Sequence, residues 1–311
     1  MKKIKIILSA ALIIVLLLLS ACGEKKAADG KIKLICTAFP QYNWALNIIG
    51  DRSDKLDVRL LCGASQDLHS YQASAQDMVE LSDCDILIYC GVSDLWAAQA
   101  AGEGAQLISM TQALGDAVIY TEHDGQDGHE HSENEADEHT WLSLKNAQEL
   151  CLKIKDALCA ADPMGKSEYE VNCGVFRQSI AVLSADYENA VKGAKRNFLL
   201  FADRFPFAYM CRDYSLEYTA AFEGCSAESE ASFETVSELS NALKAQGLPA
   251  VLITETADGE LARTVIKNSG CEAQILRLNS MQSANDAELN SKSAYLDIMR
   301  ENLAVLKTAL N

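Results

Sequence analysis

Short apolar runs alternate with amphipathic stretches along the first half of the chain. Apolar runs of four to eight residues predict buried strands at 31–38, 56–61, 85–90, 106–111 and 117–120. The stretches between them predict helices at 41–50, 71–82 and 93–101. Strands that alternate with helices in this rhythm are typical of parallel βα units.

The second half of the chain repeats this rhythm. It predicts strands at 197–202, 216–222, 250–256 and 272–278, with helices at 205–214, 232–246, 259–269 and 291–310. We therefore expect an α/β fold with two similar lobes, 31–161 and 195–311, each built on a mainly parallel sheet. Ligands of open α/β sheets bind beyond the carboxyl ends of the strands, which places a site in the cleft between the lobes.

One long helical pattern, 162–194, separates the two lobes and follows a helix predicted at 142–162. Asp162 and Pro163 are typical of an N-cap followed by proline at the first helical position. Apolar residues then recur at spacings of three to five: Val171, Phe176, Ile180, Leu183 and Tyr187. At 1.5 Å per residue, its stretch from about 164 to 192 would extend roughly 43 Å, which suits a rigid connection between two lobes.

The N-terminus carries an export pattern. Basic residues precede an almost unbroken apolar run from Ile6 to Leu19, which spans roughly 21 Å as a helix and is too short for a hydrocarbon core of about 30 Å. Residues 1–21 are therefore predicted to be a signal peptide. Leu19-Ser20-Ala21-Cys22 resembles a bacterial lipobox, so we expect lipid on Cys22 and a tether at 22–30. Ordinary cleavage beside an incidental cysteine is the alternative.

Charge narrows the range of partners. The chain has 27 basic and 44 acidic residues and a formal net charge of −17. Its signal peptide contains three lysines and no acid, so the mature protein is more negative still. This balance argues against nucleic acid and anionic lipid as partners and favours cations, although it also serves solubility. No Cys-x-x-C motif occurs among the 11 cysteines, and the sequence leaves open whether any of them pair.

Four of the five histidines lie between Thr121 and Trp141. His139 ends this stretch, and the fifth histidine, His69, lies between a predicted strand and a predicted helix. Neutral imidazole is the usual protein ligand for zinc and related metals. The preceding acidic loop, 121–138, lacks apolar periodicity and contains the other three histidines: His123, His129 and His131. These histidines would either bind metal weakly and transiently or simply form part of a solvated loop.

Two motifs resemble those of the zinc- and manganese-binding lipoproteins of metal-ion ABC transporters, whose two lobes are joined by one long helix. The segment GASQDLHSYQASAQDM resembles the family's first-site pattern. The family's second pattern, Asp-x-His-x-Trp-Leu-Ser, is matched by Asp137, His139, Trp141, Leu142 and Ser143. The resemblance implies a lipid-anchored, monomeric, extracytoplasmic receptor that captures zinc first and manganese second. It also implies delivery to an ABC permease, with His69 and His139 as metal ligands.

The second lobe departs from the family pattern. Where the family supplies a third ligand, His or Glu, this chain has Arg204, which has no lone pair to offer a metal. Where the family supplies a fourth, in a turn that here reads RLNSMQS, this chain has Asn279, a weaker neutral donor. Other candidate ligands in second-lobe loops are Asp203, Cys225, Glu228, Glu230 and Glu255.

Three interpretations stay open. In the first, one of these side chains replaces the lost ligands. In the second, the two histidines, water and Asn279 hold metal loosely while Arg204 pairs with a carboxylate. In the third, Arg204 binds an anionic ligand such as a chelated metal. A surface lipoprotein that kept the fold as an adhesin or metal buffer is a rival function. His-Glu-x-x-His, Gly-x-Ser-x-Gly and phosphate-binding glycine motifs are absent from the sequence, so an enzyme is not expected.

Overall fold

A computed structural model describes residues 30–121, 135–224 and 231–311. The predicted signal peptide, Cys22 and residues 22–29 of the tether lie outside the described residues. Several candidate metal-binding residues do so as well: His123, His129, His131, Cys225, Glu228 and Glu230. The fold below is that of residues 32–311, which form one unit.

The first lobe is built on a four-stranded parallel sheet of order β2-β1-β3-β4. Its strands are β1 Ile32–Cys36, β2 Leu56–Leu60, β3 Ile86–Tyr89 and β4 Gln106–Ser109. Its helices are α1 Phe39–Ile49, α2 Ala75–Ser82, α3 Leu95–Ala100, α4 Met110–Leu114 and α5 Leu144–Ala161. A small antiparallel pair, β5 Tyr120–Thr121 and β6 Glu135–Ala136, lies at the two ends of the acidic loop.

The linking helix, α6, covers Lys166–Lys192, and the second lobe follows with a parallel sheet of order β10-β9-β7-β8. The strands are β7 Phe198–Phe205, β8 Glu217–Glu223, β9 Ala250–Thr254 and β10 Gln274–Leu278. The helices are α7 Ala208–Tyr214, α8 Phe233–Gln246, α9 Glu260–Ser269, α10 Asp286–Leu289 and α11 Ala294–Ala309. The prediction of two parallel α/β lobes joined by one long helix is confirmed.

Element starts differ from the sequence prediction where a polar side chain decides them. Helix α2 begins at Ala75 rather than at residue 71, because Ser74 accepts a hydrogen bond from the Asp77 backbone N–H and caps the helix. A 3₁₀ turn, Pro163–Gly165, precedes α6. Asp162 does not cap this turn through its side chain, since its carboxylate instead accepts hydrogen bonds from Arg52 and Tyr169.

One hydrophobic core runs through both lobes and along α6. The buried face of α6 consists of Tyr169, Cys173, Phe176, Ile180, Leu183, Ser184 and Tyr187. Val171, predicted for this face, is 61% exposed, because a helix repeats every 3.6 residues and residue 171 lies away from the others. The Tyr187 hydroxyl donates to the Met299 carbonyl at 2.6 Å and so ties α6 to α11.

The nine cysteines in the described part of the chain all carry free thiols. Most are buried, as expected for cysteines that act as small hydrophobic side chains. Over the same residues, no helix is long and apolar enough to cross a membrane.

Candidate metal centre

His139 is a buried histidine with a fixed orientation. It lies between β6 and a 3₁₀ turn, Thr140–Leu142, and is 3% exposed. Its backbone N–H donates to Asp137 Oδ1 at 2.8 Å, and its Nδ1 lies 2.7 Å from the same oxygen. Since a carboxylate accepts hydrogen bonds, Nδ1 carries a hydrogen, and in the neutral imidazole Nε2 then carries the lone pair. This carboxylate–histidine arrangement is typical of metal sites.

Hydrogen bonds between the lobes hold the segment that contains His139. The Trp141 indole N–H donates to the Ser280 carbonyl at 2.8 Å, and the Tyr295 hydroxyl donates to the Trp141 carbonyl at 2.8 Å. The Tyr209 hydroxyl donates to the Asp137 carbonyl at 2.7 Å. These bonds place His139 at the boundary between the lobes, with its ring centre 5.3 Å from that of Trp141.

His69 comes from the loop after β2, at the carboxyl end of the first sheet. It lies in a 3₁₀ turn, Leu68–Ser70, and its backbone N–H donates to Asp67 Oδ1 at 2.9 Å. Its side chain is exposed, and its ring centre lies 5.5 Å from that of His139. The structure therefore brings together the two histidines that the sequence singled out, one exposed and one buried.

Glu255 follows β9 and faces this region from the second lobe. Its two carboxylate oxygens accept hydrogen bonds from the Ser280 backbone N–H and hydroxyl, each at 2.8 Å. Burial raises the pKa of Glu255, and the negative charge of Asp67 acts in the same direction. Because Asp67 belongs to the His69 loop, Glu255 lies within electrostatic reach of that loop.

The other predicted second-lobe residues take part in local structure. Asn279 Oδ1 accepts the Met281 backbone N–H at 2.8 Å. Asp203 Oδ2 accepts the Thr254 backbone N–H at 2.8 Å, which fastens the end of β7 to β9. Arg204 is exposed and pairs in register with Phe222 of β8. Their roles toward a ligand stay predictions.

Gln282 is a site residue that the sequence reasoning missed. Its side-chain Nε2 lies 2.8 Å from His139 Nε2, so the second lobe contacts the buried histidine directly. Gln282 belongs to the turn RLNSMQS, three residues after Asn279. Only the path of this turn, which includes a left-handed Met281 with φ of 58°, carries the glutamine to the histidine, and the sequence did not reveal that path.

Glu138 is a second missed residue. It is buried, and its carboxylate accepts the Ser93 backbone N–H at 2.7 Å, together with hydrogen bonds from the Val92 backbone and the Ser93 hydroxyl. Burial raises the pKa of Glu138, while the Ser93 hydrogen bonds oppose that effect. The side chain fastens the His139 segment to the turn after β3.

The donor set at this centre is small. Within residues 30–121, 135–224 and 231–311, no group of three or more His, Cys, Asp or Glu side chains lies close enough together to hold a metal ion. The described geometry offers two imidazoles, with the Gln282 amide against one of them and Glu255 nearby.

Two parallel-sheet lobes, one long linking helix and a pair of histidines at the lobe boundary define a two-lobed solute-binding protein. The family model "ZnuA: Zinc-uptake complex component A periplasmic" matches residues 34–309, and the chain belongs to this family. Its members are binding components of an uptake system, which confirms the resemblance seen in the sequence and the expectation that the chain is not an enzyme.

Two relatives show how much of each chain the similarity covers. The chain is 28% identical over 317 residues to the zinc-binding lipoprotein AdcA of Streptococcus pneumoniae, covering 99% of this chain and 61% of AdcA. It is 27% identical over 315 residues to the high-affinity zinc uptake system protein ZnuA of Bacillus subtilis, covering 94% of both. The chain thus spans about three fifths of the AdcA proteins that it matches.

Solved structures agree with the fold. The Zn(II)-bound ZnuA-like domain of S. pneumoniae AdcA is 26% identical, with a TM-score of 0.70, and the match covers 90% of this chain and 99% of that domain. The periplasmic zinc-binding protein TroA of Treponema pallidum has a TM-score of 0.76 at 20% identity, over 90% of this chain and 99% of TroA. At that identity, TroA supports the fold alone.

Proposed function

We propose that the protein is an extracytoplasmic receptor that captures Zn²⁺ between its lobes and delivers it to an ABC permease, with Mn²⁺ as the second candidate. The observation that carries this proposal is the pairing of His69 with His139, whose ring centres lie 5.5 Å apart. Asp137 behind His139 directs the lone pair on Nε2 away from itself, as a metal-binding imidazole requires.

Zinc is preferred over manganese for a chemical reason. Imidazole nitrogen suits zinc, and affinity for divalent first-row metals rises from Mn²⁺ toward Zn²⁺. The AdcA and ZnuA relatives are named for zinc, which supports the same choice. Few donors surround the two histidines in the part of the chain that the structure describes, so water would complete the coordination.

Membrane attachment would come from Cys22. The lipobox-like Leu19-Ser20-Ala21-Cys22 supports lipid on this cysteine, and a relative described as a lipoprotein supports it further. The receptor would then stay at the membrane surface near its permease. We propose that it acts there as a monomer. The experiment is metabolic labelling with a radioactive fatty acid, which Cys22→Ser abolishes and Cys36→Ser does not.

Calorimetric titration with Zn²⁺ and Mn²⁺ tests the metal proposal on the reduced, metal-stripped chain without its signal peptide. The key variant is His69→Ala/His139→Ala. Its matched control is His129→Ala/His131→Ala, which removes the same number of imidazoles from the acidic loop. We expect 1:1 zinc binding that is lost in the first variant and kept in the control. Binding lost in the control and kept in the first variant would contradict the cleft as the receptor site.

A metal buffer is the second candidate function, favoured by the absence of a three-residue donor group in the part of the chain that the structure describes. A buffer would bind zinc weakly and exchange it without a permease. Zinc uptake by cells whose chromosomal copy carries His69→Ala/His139→Ala separates the two functions. Uptake falls for a transport receptor and is unchanged for a buffer.

A further inference from the structure

Two independent constraints fix the hydrogen bond between Gln282 and His139. Asp137 Oδ1 accepts from Nδ1 of the imidazole, so a neutral imidazole carries its lone pair on Nε2. The atom of Gln282 that faces Nε2, at 2.8 Å, is an amide nitrogen, which donates hydrogen bonds and does not accept them. Both constraints require the Gln282 amide N–H to donate to Nε2 of a neutral His139.

A metal ion needs the same lone pair, and one lone pair cannot serve both partners. We propose that Gln282 competes with the metal ion for Nε2 of His139, and that displacement of this amide limits how tightly and how fast the centre binds metal. This inference rests on the proposed metal-binding function and adds a residue that controls it.

The backbone around Gln282 is anchored on both sides. The metal ion therefore has to displace only the side chain. On one side, Ser280 is held by the two hydrogen bonds to Glu255. On the other, the Ala284 carbonyl accepts the Ser65 backbone N–H at 2.7 Å. Met281 between them is fully buried. The Gln282 side chain is only partly buried. Its rotation gives up the bond from the Ser280 hydroxyl to Gln282 Oε1, at 3.2 Å, while Ser280 keeps its bonds to Glu255 and Ala284 keeps its bond to Ser65.

Removal of the Gln282 amide should therefore strengthen metal binding. Without Gln282, the buried Nε2 of His139 loses a hydrogen-bond partner, which raises the free energy of the metal-free protein. A hydrogen bond contributes a net amount that corresponds to a change of roughly three- to tenfold in an equilibrium constant. The dissociation constant for zinc should fall by that factor, and the association rate should rise.

Nuclear magnetic resonance tests the hydrogen bond itself. In the ¹⁵N-labelled, metal-free chain without its signal peptide, we expect a scalar coupling across the bond between Gln282 Nε2 and His139 Nε2. Zinc should abolish it. Absence of the coupling before zinc is added, or its persistence at saturating zinc, would overturn the proposal.

Titration tests the competition. Gln282→Leu removes the amide and keeps a side chain of similar size, and Gln246→Leu is the control at the exposed end of α8. We expect zinc to bind about three- to tenfold more tightly to Gln282→Leu than to wild type, with no change in the control. Equal or weaker binding by Gln282→Leu would overturn the proposal, and weaker binding would make Gln282 a ligand instead.

A second variant covers the case in which Gln282→Leu does not fold. Gln282→Met keeps the length of the side chain but has no N–H to donate to Nε2 and adds no carboxylate ligand, so it should also bind zinc more tightly. If wild type and both variants fail to bind zinc, the proposed function and the competition fall together. Tight wild-type binding with no gain in either variant overturns the competition alone.

Discussion

Trp141 of the first lobe donates its indole N–H to the backbone carbonyl of Ser280 in the second lobe, at 2.8 Å. Trp141 follows His139 by two residues, and Ser280 precedes Gln282 by two. The bond is buried at both ends, since Trp141 is 1% and Ser280 0% exposed. This buried bond, together with those from Tyr209 and Tyr295, therefore couples the segment of the histidine to the turn of the glutamine.

Trp141→Phe keeps an aromatic ring and leaves the buried Ser280 carbonyl without this donor. The matched control is Trp44→Phe, because the Trp44 indole N–H is buried and has no hydrogen-bond partner in the described structure. We expect Trp141→Phe to lower the free energy of unfolding by about 1–3 kcal/mol more than the control, as measured by urea denaturation. Equal losses would show that the interlobe bond adds nothing to stability.

Asp137→Asn tests the carboxylate behind His139. An amide attracts the Nδ1 hydrogen less strongly than a carboxylate, so the imidazole becomes a weaker ligand. Zinc affinity should fall roughly 10- to 100-fold, measured by competition with a chromogenic chelator. Asp57→Asn, at an exposed position of β2, should leave affinity unchanged. An unaltered affinity in Asp137→Asn would mean that the carboxylate has no influence on the metal.

The Asp162 carboxylate gives a stability effect that depends on pH. Burial alone would raise its pKa, but hydrogen bonds from Tyr169 and Arg52 and the charge of Arg52 hold it below the usual value of 3.8. An acid with a depressed folded-state pKa stabilises the fold above its unfolded pKa and loses this effect as pH falls through the folded value.

We therefore expect Asp162→Asn to be less stable than wild type at pH 7 and to approach it as the pH falls below 3.8. Urea denaturation at a series of pH values measures the difference. Asp54→Asn, at an exposed side chain, is the control for loss of one carboxylate. A difference that stays constant down to the acid transition would contradict the assignment.

Glu255 should behave in the opposite direction. Its folded-state pKa is raised above the usual value of 4.5, with burial as the main cause. Ionisation therefore costs more in the folded protein, and this cost grows as pH rises from 4.5 through the raised pKa. In chelator, Glu255→Gln should have a higher Tm than wild type at pH 7 and an equal Tm below pH 4.5. A lower Tm of the variant at pH 7 would contradict the raised pKa of Glu255. Zinc titration of the same variant separately tests Glu255 as a metal ligand.

Much of the fold could be predicted because its elements have a clear periodicity. Strands such as β3 and β9 are fully buried and therefore read as unbroken apolar runs. The two histidines could be predicted because each lies in a local motif. Gln282 could not, since its contact with His139 joins positions 143 residues apart and depends on a turn whose left-handed residue, Met281, is not a glycine.

In the proposed site, the unequal exposure of the two histidines would set the order of the steps in metal exchange. An ion that arrives from solvent meets the exposed His69 before the buried His139. We expect stopped-flow measurements to show that His69→Ala mainly slows association, whereas His139→Ala mainly speeds dissociation. His69 would then determine how fast the receptor picks up a metal ion, and His139 how long the ion stays bound.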